Sequence, residues 1–208
     1  MRKNVVMVLA AHTDDGELGC GGSIARFTEE GKEVYYVAFS TAGAPPPFTS
    51  ECVKKEARSA LEVLGIPENR IILYNYEIRK LGYSRQNILD DLITLKKEID
   101  PESIFLPCGH DLHQDHNTVH NEGLRAFKEC TILGYELFWN NITFHSRHLI
   151  PLTEDQIQKK IAALRCYKSQ EHRHYVDDEF IRGLARARGV QIVKRYAEAF
   201  DVIRWVLT

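Results

Sequence analysis

The chain has 208 residues, of which 44% are hydrophobic and 27% are charged, and its formal net charge is −2. This length suits a single domain over residues 1–208 with a sizeable core, and the composition is typical of a soluble globular protein. The near-neutral charge gives no indication of a nucleic acid or an anionic membrane as partner. No apolar run reaches the ~18 residues of a membrane span. The five cysteines are scattered and form no Cys-x-x-Cys pair, which fits a cytoplasmic location.

The first half of the chain alternates between strand-like and helix-like segments. Residues 4–10 form a continuous apolar, largely β-branched run, which is typical of a central parallel strand with both faces covered. Further strands are predicted at 33–39, 70–74, 103–106 and 136–139, and residues 199–206 are compatible with a strand or a helix. Predicted helices cover residues 21–31, 50–64, 85–98, 116–129, 153–167 and 178–189.

Repeated strand–helix units predict a Rossmann-like α/β fold, in which helices cover both faces of a mostly parallel sheet. Such a sheet binds its ligands at the carboxyl ends of the strands. One irregular stretch, residues 41–49 with three consecutive prolines, follows the second predicted strand. It is interpreted either as a rigid linker or as a loop at the rim of an active site.

A cluster of ionisable residues, Ala11-His12-Thr13-Asp14-Asp15-Gly16-Glu17, begins where the first predicted strand ends. Buried carboxylates are costly unless a positive charge neutralises them, and a divalent cation does so directly. Histidine nitrogen and aspartate oxygen are ordinary zinc ligands. Because adjacent aspartates in a turn point in different directions, one can bind metal while the other acts as a base. The alternative is a helix N-cap with a polar turn.

A second cluster, His110-Asp111-Leu112-His113-Gln114-Asp115-His116, follows the fourth predicted strand. We expect it at the same edge of the sheet as the first cluster. One nitrogen from this loop would complete three protein ligands and leave a position open for water, as a catalytic zinc requires. Asp115 is in a position to hydrogen-bond a histidine ring and fix its tautomer. The alternative is a histidine-rich surface turn.

The two motifs, Ala-His-x-Asp-Asp-x-Glu and His-x-Asp-His, resemble those of the LmbE/PIG-L family of zinc-dependent N-deacetylases. The resemblance spans most of the chain. Three more segments carry it, namely Leu64-Gly65-Ile66, Tyr167-Lys168-Ser169-Gln170 and Tyr196-Ala197-Glu198-Ala199-Phe200.

The resemblance implies that His12, Asp15 and His116 ligate Zn²⁺ and that Asp14 is the general base. It implies the fold described above, and hydrolysis of an acetyl amide on a small N-acetylated sugar or sugar conjugate. The sugar is implied by the resemblance alone.

Three further roles follow from the same resemblance. His113, oriented by Asp115, would stabilise an oxyanion or act as an acid, and Tyr196 would approach the reacting carbonyl. Glu17 would hold the loop in place.

The chain departs from the family pattern at several positions. Thr13 and Gln114 each stand where proline is usual, and Leu112 stands where relatives often have a polar residue. Val53 occupies the position at which many relatives carry an arginine that contacts substrate. The usual anchor for a sugar or phosphate group is therefore missing from its expected place, unless Lys54 or Lys55 substitutes for it.

Two other functions remain open on the sequence. The same metal would serve hydrolysis of another amide or of a phosphoester, and a metal-stabilised binding protein without turnover would keep the ligands alone. Family members often assemble, so a homo-oligomer is an expectation as well. The apolar pair Phe138-Trp139 would then contribute to an interface, or else to the core.

Overall fold

A computed structural model describes residues 4–41 and 46–207. Residues 42–45, part of the predicted loop at 41–49, lie outside the described ranges. The helices found there are α1 Asp15–Glu29, α2 Ser50–Val63, α3 Arg85–Ile99, α4 Gln114–Ala126, α5 Glu154–Leu164 and α6 Asp178–Val190. The strands are β1 Val5–His12, β2 Glu33–Ser40, β3 Ile71–Leu73, β4 Ser103–Pro107, β5 Thr131–Tyr135, β6 His148–Leu152 and β7 Tyr196–Arg204. Across these ranges, no helix combines the length and apolarity that crossing a bilayer requires.

All of these strands belong to one sheet, in the order β3-β2-β1-β4-β5-β7-β6. Strands β1 to β5 pair in parallel, whereas β7 runs antiparallel to both β5 and β6. The predicted α/β fold is thereby confirmed. The strand order reverses direction between β1 and β4, and the crevice at such a switch point is where sheets of this kind bind ligands.

Strand β1 lies at the centre of the sheet because its side chains are apolar on both faces. Val6, Val8 and Ala10 join the apolar core that contains residues of α1, α2 and α5. Met7 and Leu9 join a second core, formed with residues of α3 and α4. Helices on both faces thus leave only the strand ends open to ligands, and β1 ends at His12.

Helix α1 begins at Asp15, six residues before the predicted start at residue 21. Its backbone leaves helical geometry at Cys20, with φ of −145° and ψ of 23°, and then resumes. A Cβ atom at Gly19 would lie 2.3 Å from the ring of Tyr135, and one at Gly22 would lie 2.4 Å from Leu152. The glycines are therefore required by close packing of the helix on the sheet, a demand that local helix propensity does not reveal.

The restarted half of α1 is capped by Glu198 of β7. The Glu198 carboxylate accepts hydrogen bonds from the backbone N–H groups of Gly22 and Ser23, at 3.0 and 2.7 Å. It also pairs with the buried ammonium of Lys160 at 2.7 Å. A carboxylate at a helix N-terminus satisfies backbone donors that would otherwise be unpaired.

The prediction of a strand at residues 136–139 was wrong. The strand lies earlier in the chain, at Thr131–Tyr135. Its five residues are all buried and pair with β4 on one side, while four of them pair with β7 on the other. The chain then leaves the sheet, where Leu137 N–H donates to the side chain of Asn141 at 2.8 Å. Phe138 and Trp139 are 54% and 38% exposed, so their aromatic character marked a surface segment and not a strand.

The remaining differences occur at the far edge and at one helix start. Strand β6 was not predicted, and it is short and contains Pro151, which is tolerated at a sheet edge. The undecided segment at 199–206 belongs to strand β7, which starts at Tyr196. Helix α4 starts two residues early because the ring of His113 serves as its N-cap, a role that sequence rules assign to other residue types.

We expect Glu198→Gln to lower the free energy of unfolding by about 3–5 kcal/mol, because it leaves the buried Lys160 ammonium without its countercharge. Urea unfolding measures the change. Glu30→Gln is the matched control, since Glu30 pairs with Arg26 at the surface and such pairs contribute at most about 1 kcal/mol. Equal effects of the two substitutions would contradict the structural role of Glu198.

Candidate active site

The two predicted clusters meet at the switch point of the sheet, in one cleft. His12 ends β1, Asp15 opens α1, His113 caps α4 and His116 lies in the first turn of α4. Residues outside the two clusters complete the lining of this cleft, namely Leu18, Ser40, Val53, Ile78, Arg79, Trp139, Asn140, Gln170, Arg173 and Tyr175. The carboxyl ends of β1 and β4 therefore bring together side chains that are about a hundred residues apart in sequence.

Three prospective ligand atoms form a nearly equilateral triangle in the cleft. His12 Nδ1 lies 3.2 Å from His116 Nε2. Asp15 Oδ2 lies 3.3 Å from each of these two nitrogen atoms. Asp15 Oδ2 also accepts the backbone N–H of His12 at 2.7 Å, which holds the carboxylate in this position. Three electron-pair donors at these spacings form a candidate site for a cation.

The electrostatics of the triangle also favour a cation. Burial alone would lower the pKa of His12 and of His116, but the Asp15 carboxylate and hydrogen bonds to carboxylates outweigh it and raise the pKa values to about 9 and about 10. Burial would raise the pKa of Asp15, but the two histidines hold it well below its ordinary value. The buried carboxylates thus require nearby positive charge, and a divalent metal provides it when the rings give up their protons.

Each histidine of the triangle is oriented by a buried carboxylate behind it. Asp115 Oδ2 lies 3.1 Å from His12 Nε2, and Asp111 Oδ2 lies 2.7 Å from His116 Nδ1. Such partners fix which ring nitrogen faces a metal. Asp111 had no predicted role. The residue stood within the second cluster, but nothing local showed which ring it would contact.

Asp115 contacts His113 through its backbone and not through its carboxylate. That carboxylate contacts His12 and accepts the backbone N–H groups of Arg79 and Leu81, at 2.6 and 3.2 Å. His113 is oriented instead by the backbone N–H of Asp115, which donates to His113 Nδ1 at 3.1 Å. The neutral ring therefore carries its proton on Nε2.

His113 is suited to donate a hydrogen bond from a neutral ring. Burial, together with the neighbouring His116 and His12, lowers the pKa of His113. The ring stacks on His116, with centroids 4.5 Å apart, and meets His12 edge-on at 4.9 Å. His12, His113 and His116 also offer nitrogen atoms within 4.8 Å of one another. Asp15 completes the triangle better than His113, because its oxygen is equidistant from the two other ligand atoms.

Asp14 stands beside the triangle without belonging to it. It occupies the N-cap position of α1, but its side chain makes no capping hydrogen bond. The alternative interpretation of the first cluster, a helix N-cap with a polar turn, therefore does not describe Asp14. Burial and the adjacent Asp15 carboxylate raise the pKa of Asp14 to about 6. A carboxylate of this pKa is a suitable base near neutral pH.

The loop between β1 and α1 is held from beneath by Glu17. The hydroxyl group of Tyr167 donates to the Glu17 carboxyl group at 2.6 Å, and Tyr36 contacts its other oxygen. Both hydroxyl groups also lie within hydrogen-bond distance of the Thr13 carbonyl oxygen, at 2.7 and 2.9 Å. Burial raises the pKa of Glu17 to about 8. The position agrees with the expectation that Glu17 holds the loop.

Tyr196 is not brought into the cleft. Its hydroxyl group accepts a hydrogen bond from Arg182 at 3.3 Å, and the Arg195 guanidinium lies over its ring at 5.1 Å. The tyrosine that lines the cleft is Tyr175, whose ring stacks on Trp139 with centroids 3.9 Å apart. No family motif pointed to Tyr175, because it lies in an irregular segment before α6.

A second group of ionisable residues lies outside the cleft. His110, His145 and Asp201 offer ligand atoms within 4.8 Å of one another. Both histidines are exposed, and the guanidinium of Arg147 already lies 3.6 Å from Asp201. A cation at this group would face a fixed positive charge, so the triangle in the cleft is the stronger candidate for a metal site.

Comparisons with known proteins identify relatives of this chain. A family model described as GlcNAc-PI de-N-acetylase (PIG-L) matches residues 7–127, which include both clusters. The chain is 28% identical over 176 residues to the protein named uncharacterized deacetylase YaiS of Escherichia coli K12, covering 81% of this chain and 92% of that one.

Two solved structures show the same fold. N,N'-diacetylchitobiose deacetylase from Pyrococcus horikoshii has a TM-score of 0.80 and 24% identity, over 96% of this chain and 84% of that one. The 4-carboxy-2-hydroxymuconate hydratase GalB from Pseudomonas putida KT2440 has a TM-score of 0.80 and 18% identity, over 98% of each chain. Because the family model covers more than half of the sequence, including both clusters, this chain belongs to the PIG-L family of deacetylases.

Proposed function

We propose that this protein is a zinc-dependent hydrolase that removes the acetyl group from the amide nitrogen of a small N-acetylated sugar or sugar conjugate. The observation that carries the proposal is the triangle of His12, Asp15 and His116, with Asp14 beside it and outside it. A site that only bound metal would need no such additional carboxylate. Membership of a deacetylase family supports the reaction, and the names of its relatives support the sugar.

The dimensions of the triangle suit zinc. Tetrahedral zinc binds nitrogen and carboxylate oxygen at about 2.0–2.2 Å, which places neighbouring ligand atoms about 3.3–3.5 Å apart. The three distances in the cleft are 3.2, 3.3 and 3.3 Å. Two histidines and one carboxylate leave one position open, as in catalytic zinc sites. When bound, zinc supplies a Lewis acid that polarises a carbonyl group and lowers the pKa of water to about 7.

Asp14 is the base in this proposal. A nearby cation favours the ionised carboxylate, so Asp14 is charged at neutral pH. It takes one proton from the attacking water while the water oxygen bonds to the carbonyl carbon. The carbon–nitrogen bond then breaks, and the leaving nitrogen takes the proton back from Asp14. Acetic acid and an amine are the products, and at neutral pH the acid ionises to acetate while the amine takes up the proton. No other reactant is required.

His113 stabilises the negative charge that develops on the carbonyl oxygen. Its Nδ1 atom is engaged by the Asp115 backbone, so its Nε2–H group is the available donor. The lowered pKa of His113 keeps the ring neutral, and a neutral donor can act at any pH above that value. A preorganised donor of this kind stabilises a transition state more than a ground state.

We expect His116→Ala and Asp15→Asn to lose zinc, because each removes one corner of the triangle. Asp14→Asn should retain about one zinc per chain, since a single catalytic site needs only the three ligands. Elemental analysis after dialysis measures the bound metal. His145→Ala is the matched control, because it removes a histidine of the group outside the cleft. Loss of zinc from His145→Ala, with zinc retained in His116→Ala, would contradict the proposal, because the metal would then bind at the group outside the cleft.

Asp14→Asn is expected to lower the rate of acetate release about 10²- to 10⁴-fold, because the amide cannot accept the proton of water. Acetate is measured with a panel of N-acetylated sugars, with and without a chelator. A variant that keeps full activity would refute the role of Asp14 as base. Release of phosphate from phosphoesters, without acetate, would establish the alternative hydrolase, and binding of sugars without any turnover would establish the non-catalytic alternative.

We expect His113→Gln to lower kcat about 10²- to 10³-fold while zinc content is unchanged, because one oxyanion donor is lost. Acetate release and elemental analysis are measured on the same preparation. Loss of zinc in this variant would instead identify His113 as a ligand, in the set formed with His12 and His116.

A further inference from the structure

Arg79 has an unusual backbone conformation beside the metal triangle. Its φ angle is 63°, in the left-handed region that residues with a side chain rarely adopt. Its backbone N–H donates to Asp115 Oδ2 at 2.6 Å, and the same oxygen atom lies 3.1 Å from His12 Nε2. One carboxylate oxygen therefore positions both a metal ligand and Arg79. Backbone strain of this kind persists where the surroundings hold it, and such places cluster at functional sites.

The side chain of Arg79 is a cation without a partner in the described part of the chain. It is exposed and lines the cleft, as does Arg173. Most of the other arginines form ion pairs with carboxylates. Within residues 4–41 and 46–207, the guanidinium groups of Arg79 and Arg173 form neither an ion pair nor a hydrogen bond. The cleft therefore holds two uncompensated positive charges at its surface.

The two arginines reach the cleft from different segments. Arg79 lies between β3 and α3, whereas Arg173 lies between α5 and α6, with its guanidinium 6.0 Å from the ring centroid of Tyr175. Tyr175 stacks on Trp139, which provides an aromatic surface in the same cleft. An apolar sugar face packs well on such rings, and a guanidinium beside them binds an oxyanion through its planar fork of donors.

We propose that Arg79, assisted by Arg173, binds an oxyanion group carried by the substrate, a carboxylate or a phosphate, and that the enzyme thereby selects acidic N-acetylated conjugates over neutral ones. The inference rests on the proposed deacetylase function and names the class of substrate within it. Arg79 acts on binding of the conjugate, and the acetyl amide is still hydrolysed by the groups described above.

The test compares kcat/KM for acetate release by the zinc-loaded full chain. The substrates are N-acetylglucosamine, its 1-phosphate and N-acetylmuramic acid, which is a carboxylate. The wild type should prefer at least one acidic substrate, and its identity distinguishes phosphate from carboxylate. Arg79→Gln should lower the ratio of acidic to neutral kcat/KM about 10- to 100-fold, as expected for a lost charge-assisted hydrogen bond. Arg173→Gln should lower the ratio less.

Lys80→Gln is the matched control. It removes the same charge at the next residue, where the ammonium is paired with Glu77 at 2.6 Å and does not line the cleft. Its ratio should equal that of the wild type. Arg79→Gln keeps the backbone N–H that contacts Asp115, so a merely structural role would alter all substrates equally and leave the ratio unchanged.

Binding is measured separately, by calorimetric titration of the zinc-loaded Asp14→Asn protein with the same ligands. An unchanged ratio in Arg79→Gln, or equal binding of acidic and neutral ligands, would overturn the inference while acetate release still supported the deacetylase function. Absence of acetate from every substrate would overturn the proposed function. If acidic ligands nevertheless bound more tightly than neutral ones, and only when Arg79 was present, the result would still support an anion-binding site at Arg79.

Discussion

Buried negative charge at the carboxyl ends of β1 and β4 is the constraint on which the site depends. Asp15, Asp111 and Asp115 surround two histidine rings in a part of the protein that water reaches poorly. Carboxylates in such a place destabilise the folded chain unless positive charge accompanies them. The buried carboxylates raise the pKa values of His12 and His116, so that protons on the two rings supply positive charge. In the proposed function a divalent cation supplies it instead, at the same three atoms.

The rest of the fold keeps this charge in place. Glycines let α1 pack against the sheet, and Glu198 caps its second half from β7. Glu17 and two tyrosine hydroxyl groups hold the loop that carries Asp14 and Asp15. These groups touch no ligand in the proposed mechanism. Their contribution is to fix the directions of the side chains that do.

Sequence patterns predicted the elements well where one local signal was dominant. The β-branched run of β1 and the amphipathic α2 are examples, and the two motifs following β1 and β4 were expected at the same sheet edge. The prediction of a strand at 136–139 failed because aromatic residues favour strands in general, although here Trp139 is one of the residues that line the cleft. The start of α1 was missed because glycine opposes helix formation locally, whereas close packing on Tyr135 requires it.

The sequence by itself determined the fold class, the edge of the sheet that carries the site, and the residues His12, Asp14, Asp15, His113 and His116 that meet there. The fold class, the edge and the two clusters follow from strand order and local motifs, which are properties of neighbouring residues. The choice of His113 and His116 within the second cluster came from the family resemblance. Only the tertiary structure decided that Asp115 orients His12 and that Asp111 orients His116. It also decided that Tyr175 and Arg79 line the cleft whereas Tyr196 does not. These contacts join segments distant in the chain, and side-chain direction across such distances is set by packing that no local pattern records.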